Sequence, residues 1–345
     1  MGFRFRRSFG ILPGVRINLS KHGVGISAGV PGARVSLSPT GRVTGTASIP
    51  GTGLSMSERL DQPASRRSTR TPRASADGLV SANALTGIPP QALPPKPWIF
   101  ASEERALWQA MVDGDGDVLL SLAAGDGEAA VAASVYASSN LAAADQSAAA
   151  AALLLRIWNG PDSIDSDPIA PKYFSNQRVT LPVTPVVEVP MPIDGLAVGL
   201  IIAELLQDNG DLEGALRILG TLPDTPVTAL SRADVLCALS RWSDAIAVTD
   251  GIENNDDVTA MAIIYRALAF RGLGEHTAAR TCLAAALRSR ARLQAVRHIA
   301  LGQRALLNIE VGQLGRAKAD LERLRAEDAN HPLVAEIQSR LTAPA

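Results

Sequence analysis

The side chains that usually start chemistry are present in this chain, but none is spaced to carry it. The four histidines, His22, His276, His298 and His331, lie far apart, and none has a second ligand at i+4, so no zinc site is expected. Cys237 and Cys282 sit in apolar runs of helical character without a CxxC spacing. They are expected to be buried as small hydrophobes, in a reducing compartment. Gly25-Ile26-Ser27-Ala28-Gly29 fits the nucleophile-elbow pattern, yet that chemistry needs a strand running directly into a helix, and Val30-Pro31-Gly32 follows instead. Gly23 and Gly25 fail as a dinucleotide fingerprint for the same reason. Asp113-Gly114-Asp115-Gly116-Asp117 begins like a calcium loop. Val118 stands where that loop needs glycine and Ala124 where it needs a bidentate glutamate, so a turn between helices is expected there. Acid-base chemistry needs convergent tuned groups, and none is legible: the expectation is no cofactor, no metal and no enzyme.

The elements around these residues are therefore more informative than the residues themselves. Of the 345 residues 46% are hydrophobic but only 4% aromatic, so the core must be built from Ala, Leu, Val and Ile. The net charge of −1 is the sum of two opposed parts. Residues 1–75 carry 12 Lys or Arg against 2 Asp or Glu, a charge of +10, and the remainder carries 21 against 32, a charge of −11. The two parts should attract opposite partners, or each other. No stretch supplies about 20 uninterrupted apolar residues, since the run from Gly195 is cut by Glu204, and the basic start lacks the apolar core of a signal peptide. A soluble cytoplasmic protein is expected.

Residues 1–60 read as a small all-β meander. Val15, Ile17 and Leu19 alternate with Arg16, Asn18 and Ser20, and Gly23, Gly32 and Gly41 recur every nine residues as turn markers. The inner face would hold Val15, Ile17, Leu19, Val24, Ile26, Val35, Leu37, Val43 and Ile49. So small a unit buries little apolar area and calls for self-association or support from the rest of the chain. Phe3, Arg4, Phe5, Arg6 and Arg7 form an aromatic-basic start suited to phosphates or acidic headgroups, or to an edge strand with a solvated arginine face. The opening Gly2 to Phe9, the segment Pro13 to Ser20 and the closing Ile49 to Ser55 together resemble a small bacterial family, domain of unknown function 4236 (DUF4236). The resemblance covers roughly residues 1–55 and implies a recurrent β module with no activity attached.

Residues 61–97 hold seven prolines and the cluster Arg66, Arg67, Arg70 and Arg73, the composition of a flexible tether that could also touch nucleic acid or an acidic protein. Residues 98–160 read as Ala-rich helices. Residues 161–194 read as a Pro-rich connector with one or two short extended segments.

From residue 195 to 345 the pattern repeats. Gly210, Ser240, Gly274 and Gly312 each precede an alanine by five residues, at Ala215, Ala245, Ala279 and Ala317, and successive alanines lie 30, 34 and 38 residues apart. Each unit is expected to be two antiparallel helices joined at the small residue, with the alanine at the close crossing. This arrangement resembles the tetratricopeptide family over about residues 195–332, in roughly four degenerate units. Ile263 stands at the usual tryptophan position, and the unit-ending proline survives approximately, as Pro223 and Pro332. The fold class expected is multidomain: a small all-β meander followed by an all-α superhelix of helical hairpins. The resemblance implies a concave face that binds a protein or peptide. Arg232, Asp234, Arg266, Arg297, Arg304 and Asn308, on the first helices of the units, are its candidate contacts. The function expected is that of an interaction scaffold; the alternative is attachment to nucleic acid or an anionic membrane through the basic N-terminal part.

Overall fold

The computed structural model describes strand segments of the backbone between Phe3 and Arg59, and then residues 93–160, 164–175, 177–184 and 186–342. Contacts divide the chain into two units, Met1–Val179 and Thr180–Ala345.

In the first unit the strand segments are β1 (Phe3–Arg4), β2 (Ser8–Leu12), β3 (Val15–Ser20), β4 (Gly23–Val30), β5 (Ala33–Leu37), β6 (Val43–Ser48) and β7 (Ser55–Arg59). β2 to β7 pair antiparallel with their sequence neighbours. The register sets Ile17 opposite Ile26, Ile26 opposite Leu37 and Leu37 opposite Val43, so these residues share one face. The side chains of this region, the arginine cluster of the tether and His22 lie outside the described residues.

Among the described residues the helices that follow are α1 (Ser102–Asp113), α2 (Gly116–Ala124), α3 (Ala130–Ala143), α4 (Ser147–Trp158) and the short α5 (Ala170–Phe174). α3 is buried without interruption from Ala130 to Ser138, because Ala and Ser let its neighbours α2 and α4 approach closely. Tyr136 packs on Phe174 with ring centroids 5.1 Å apart. Arg156 on α4 donates to the C-terminal carbonyls of α2, at Ala123, Ala124 and Gly125. A cation is thus placed where unpaired carbonyls and the helix dipole both favour one.

Two strands follow, β8 (Arg178–Pro182) and β9 (Glu188–Pro192), neighbours in one sheet. Among the described residues the second unit continues with nine helices: α6 (Gly195–Asp208), α7 (Leu212–Gly220), α8 (Pro226–Ala238), α9 (Trp242–Thr249), α10 (Asp257–Gly272), α11 (His276–Ala286), α12 (Gln294–Glu310), α13 (Leu314–Glu327) and α14 (Pro332–Thr342). They pack as hairpins, α6 with α7, α8 with α9, α10 with α11 and α12 with α13. The first helices α8, α10 and α12 also stack on one another, and α14 closes the end against α12 and α13.

The turn chemistry accounts for the regularity. Gly210, Ser240, Gly274 and Gly312 all have a left-handed backbone, with φ of +84°, +57°, +77° and +72°. In each turn the next amide reaches back five residues: Asp211 to Leu206, Arg241 to Leu236, Glu275 to Phe270 and Gln313 to Asn308, at 2.7 to 2.9 Å. This is the hydrogen bond of a Schellman motif, which ends one helix and lets the next begin after three residues. Ala215, Ala245, Ala279 and Ala317 then lie at no more than 1% exposure. The same device occurs twice upstream. Gly114 (φ +70°) and Asp145 (φ +60°) join α1 to α2 and α3 to α4, with Asp115 bonded to Ala110, Gln146 to Leu141, and Leu119 and Ala150 buried five residues on. The aspartate-glycine run is thus a helix-connecting turn, in which Asp115 caps α2 by accepting from the Val118 amide at 3.1 Å.

Candidate interaction surface

The first helices of the later units are tightly enclosed. No residue of α10 from Asp257 to Arg271, and none of α12 from Ala295 to Ile309, is fully exposed. The six residues expected to meet a partner all make bonds within the chain.

Arg232 on α8 donates from Nε to the Leu219 carbonyl at 3.0 Å and from Nη2 to Leu222 at 3.0 Å, while Nη1 pairs with Asp224 at 2.6 Å. Arg266, 34 residues further on, repeats the gesture on α10. Its Nη2 donates to the Ile252 carbonyl at 3.0 Å, and Nη1 lies 3.7 Å from Asp250. Both arginines close the C-terminal end of the preceding second helix, as Arg156 does for α2. Asp234 accepts the Tyr265 hydroxyl at 2.8 Å, tying α8 to α10. Beside it, burial first and the Asp234 charge second push the Cys237 thiol up to about 12, so it is a protonated donor, 3.7 Å from the Tyr265 carbonyl. Burial raises the Cys282 thiol as well.

Arg297, Arg304 and Asn308 are brought together on α12, facing α13. Arg304 binds Asp320 with two bonds, 3.0 and 2.6 Å, and Asn308 donates to the same carboxylate at 3.3 Å. Asp320 is only 8% exposed, and two donors compensate its burial. Arg297 grips Glu327 with two contacts of 2.8 Å. Glu327 also meets the buried His298 at 3.2 Å and Arg323 at 3.8 Å. The rings of His298 and His331 meet edge to face at 5.4 Å.

Sequence reasoning missed a cleft of about 690 Å³ at the turn end of α8 to α12, lined by Cys237, Trp242, Leu268, Arg271, His276 and Glu310. Its signal was available: Trp242 and His276 each stand two residues after a left-handed turn residue, the same position in successive units. Arg271 holds Glu310 with bonds of 2.7 and 2.5 Å and Gln303 with one of 2.8 Å.

Among the described residues no group of three or more His, Cys, Asp or Glu is placed to hold a metal ion, and no helix is long and apolar enough to cross a membrane. Phe3 and Arg4 fall on β1, whereas Phe5, Arg6, Arg7, Arg66, Arg67, Arg70 and Arg73 lie outside the described residues. Residues 3–57 match one family model. Its description is "Protein of unknown function (DUF4236)", and the match spans the three motifs on which the resemblance was drawn. No curated protein matches the chain. Among solved structures the chain is similar to the N-terminal domain of the EccA1 ATPase from the ESX-1 secretion system of Mycobacterium tuberculosis. Identity is 20% and the TM-score 0.49, with 71% of this chain and 88% of that chain covered. The helical part is tetratricopeptide-like, by its hairpins, left-handed turns and buried residues at the crossings.

Proposed function

We propose that the helical units form a scaffold that binds a protein or peptide partner in the cytoplasm, without chemistry of its own. The observation that supports this reading is the sixfold recurrence of one turn with one buried residue five positions later. A chain that spends its length repeating a frame builds an extended surface. Arg297 is the contact we favour most. The single carboxylate of Glu327 answers two guanidinium groups, Arg297 and Arg323, so positive charge is left over for an acidic segment of a partner. Arg232, Asp234, Arg266, Arg304 and Asn308 would act mainly by holding the first helices at the spacing the partner reads. Crosslinking mass spectrometry on cells expressing the full chain tests the reading. A defined partner crosslinked along α8, α10 and α12, and lost in R297E with the helical content retained, is expected. Recovery of no partner, or the same partner from R297E, would count against it.

A second reading rests on the +10 charge of residues 1–75. The N-terminal strands then form an all-β module that, with the tether, attaches the scaffold to nucleic acid or an anionic membrane through Phe3, Arg4, Phe5, Arg6 and Arg7 and the four tether arginines. Salt-dependent binding of the full chain to DNA, RNA or anionic liposomes, weakened when Arg66, Arg67, Arg70 and Arg73 become glutamine, is its expected result. Binding to none of these would remove it.

A further inference from the structure

The end of the second unit holds two imidazoles, His298 and His331, that the scaffold does not use. Beside them α14 lies over the last hairpin, where Val334 and Ile337 are buried with Ala305 and Leu306 of α12 and Leu321 and Leu324 of α13. Leu333 presses so close to α12 that Gly302 has no room for a Cβ. The start of α14 sets it apart. Pro332 occupies its first position and has no N–H, so Leu333 supplies the first amide that needs an acceptor. That amide donates to Nδ1 of His331 at 3.3 Å. A histidine thus takes the capping place that Ser, Thr, Asp or Asn usually fills, and holds it only while Nδ1 carries no proton.

We propose that His331 is a pH-operated latch: neutral, it caps α14 over the last hairpin; protonated, it releases the helix and opens the α12–α13 groove to another amphipathic helix. A proton on Nδ1 turns the acceptor into a donor that faces the Leu333 amide. It also sets a positive charge at the positive end of the helix dipole. The charged groups around the ring offer little relief. On α12 the His298 ring meets His331 edge to face at 5.4 Å, and Arg297 is committed to Glu327. On α13 the Glu327 carboxylate is shared further with His298 and Arg323. In the connection Asp328 opposes, but its Oδ1 already accepts the Asn330 amide at 3.1 Å. On α14 Glu336 pairs with Arg340. Burial first and His298 second push the His331 imidazole down against the pull of Asp328. The docked state therefore resists a proton that the released state takes up at about pH 6.5, and release grows as pH falls below that value. What the groove accepts is defined by its resident: a helix with apolar residues spaced as Leu333, Val334, Ile337 and Leu341.

The full chain tests this, with a fluorescent peptide of residues 331–345 as the probe and His331 replaced in it by glutamine so that the probe does not titrate. The probe enters only when α14 is out, so its apparent Kd falls by the factor by which the released fraction rises. Loss of one helix cap sets that factor at about fivefold between about pH 7.5 and 5.5. Fluorescence anisotropy should show this gain in the unmodified chain. In the H331Q chain, whose side-chain amide accepts at either pH, the two values should agree within about twofold. A probe that also carries I337D should not bind, since it sets a charge against Leu321 and Leu324. Binding at neither pH, equal binding at both, a pH dependence that survives H331Q, or binding of the I337D probe would overturn the proposal.

Discussion

Ser240 is the one residue among the four turns of the second unit that is not glycine, and it offers a controlled test of why these hairpins close where they do. At φ +57° a side chain costs about 1–2 kcal/mol relative to glycine. Ser240→Gly removes that strain, at the expense of about 0.4–1 kcal/mol of added freedom in the unfolded chain. The net gain is about 0.7 kcal/mol, or roughly threefold in the closing equilibrium of the α8–α9 hairpin. Ser240 is exposed, so packing does not confound the change. Gly274→Ala is the mirror experiment. A Cβ at Gly274 meets nothing within 4 Å, so its cost is conformational alone, and the α10–α11 hairpin should open about threefold more often. Hydrogen exchange read by mass spectrometry resolves each hairpin separately, which a global melt of a repeat chain would not. The peptide covering residues 233–249 should slow in S240G, and that covering residues 267–283 should quicken in G274A. If S240G exchanges no more slowly, or G274A no faster, the left-handed turn is not what sets the stability of these hairpins.

Three further outcomes follow from the same packing. Burial, and then the neighbouring His298, hold the His331 imidazole below its usual range, with Asp328 opposing. The unfolded chain takes up the proton near pH 6.5 while the folded chain resists it, so the docking of α14 should weaken as pH falls below about 6.5. Exchange across residues 332–342 between about pH 7.5 and 5.5 should register this, and H331Q should flatten the dependence. Ala279 is 1% exposed at the crossing of α10 and α11, so Ala279→Leu should cost about 1–3 kcal/mol in urea unfolding, while the same change at exposed Ala247 should cost little. Asp320→Ala leaves Arg304 and Asn308 without their shared acceptor. A loss of about 3 kcal/mol is expected, at the low end for a broken buried pair because a quarter of the Arg304 side chain is in water.

The spacing of Gly210, Ser240, Gly274 and Gly312 made four hairpins legible, since a left-handed turn and a small crossing residue leave a mark in local sequence. The two upstream turns share that five-residue spacing and were still not read as repeats. Leu119 replaces alanine in one, and in the other Ala150 is lost within a run of alanines. The candidate contacts lie on the first helices α8, α10 and α12, but the bonds they make there were not legible. The partners of Arg304 and Arg297 are 16 and 30 residues away, and the Leu219 carbonyl is 13 residues from Arg232. Whether an arginine on a first helix faces water or a neighbouring carbonyl depends on how one hairpin lies on the next, which local periodicity does not encode. The cleft escaped notice for a related reason, because its lining comes from five helices.

The ties that cross from one hairpin to the next give the array a grain. Between the third and fourth hairpins of the second unit, Arg271 clasps Glu310; in the connection ahead of α10, Asn254 donates to the Ala285 and Ala286 carbonyls at the end of α11 and accepts from Arg292 ahead of α12. Between the first and second, Arg232 holds the Leu219 and Leu222 carbonyls and pairs with Asp224, beside the exposed Arg241–Glu213 contact at 3.8 Å. In a linear stack, whose stability sums neighbour couplings, each such tie must let go before its hairpin does. Pulled from both ends, the second unit would therefore yield in steps, one hairpin of slack for each arginine released.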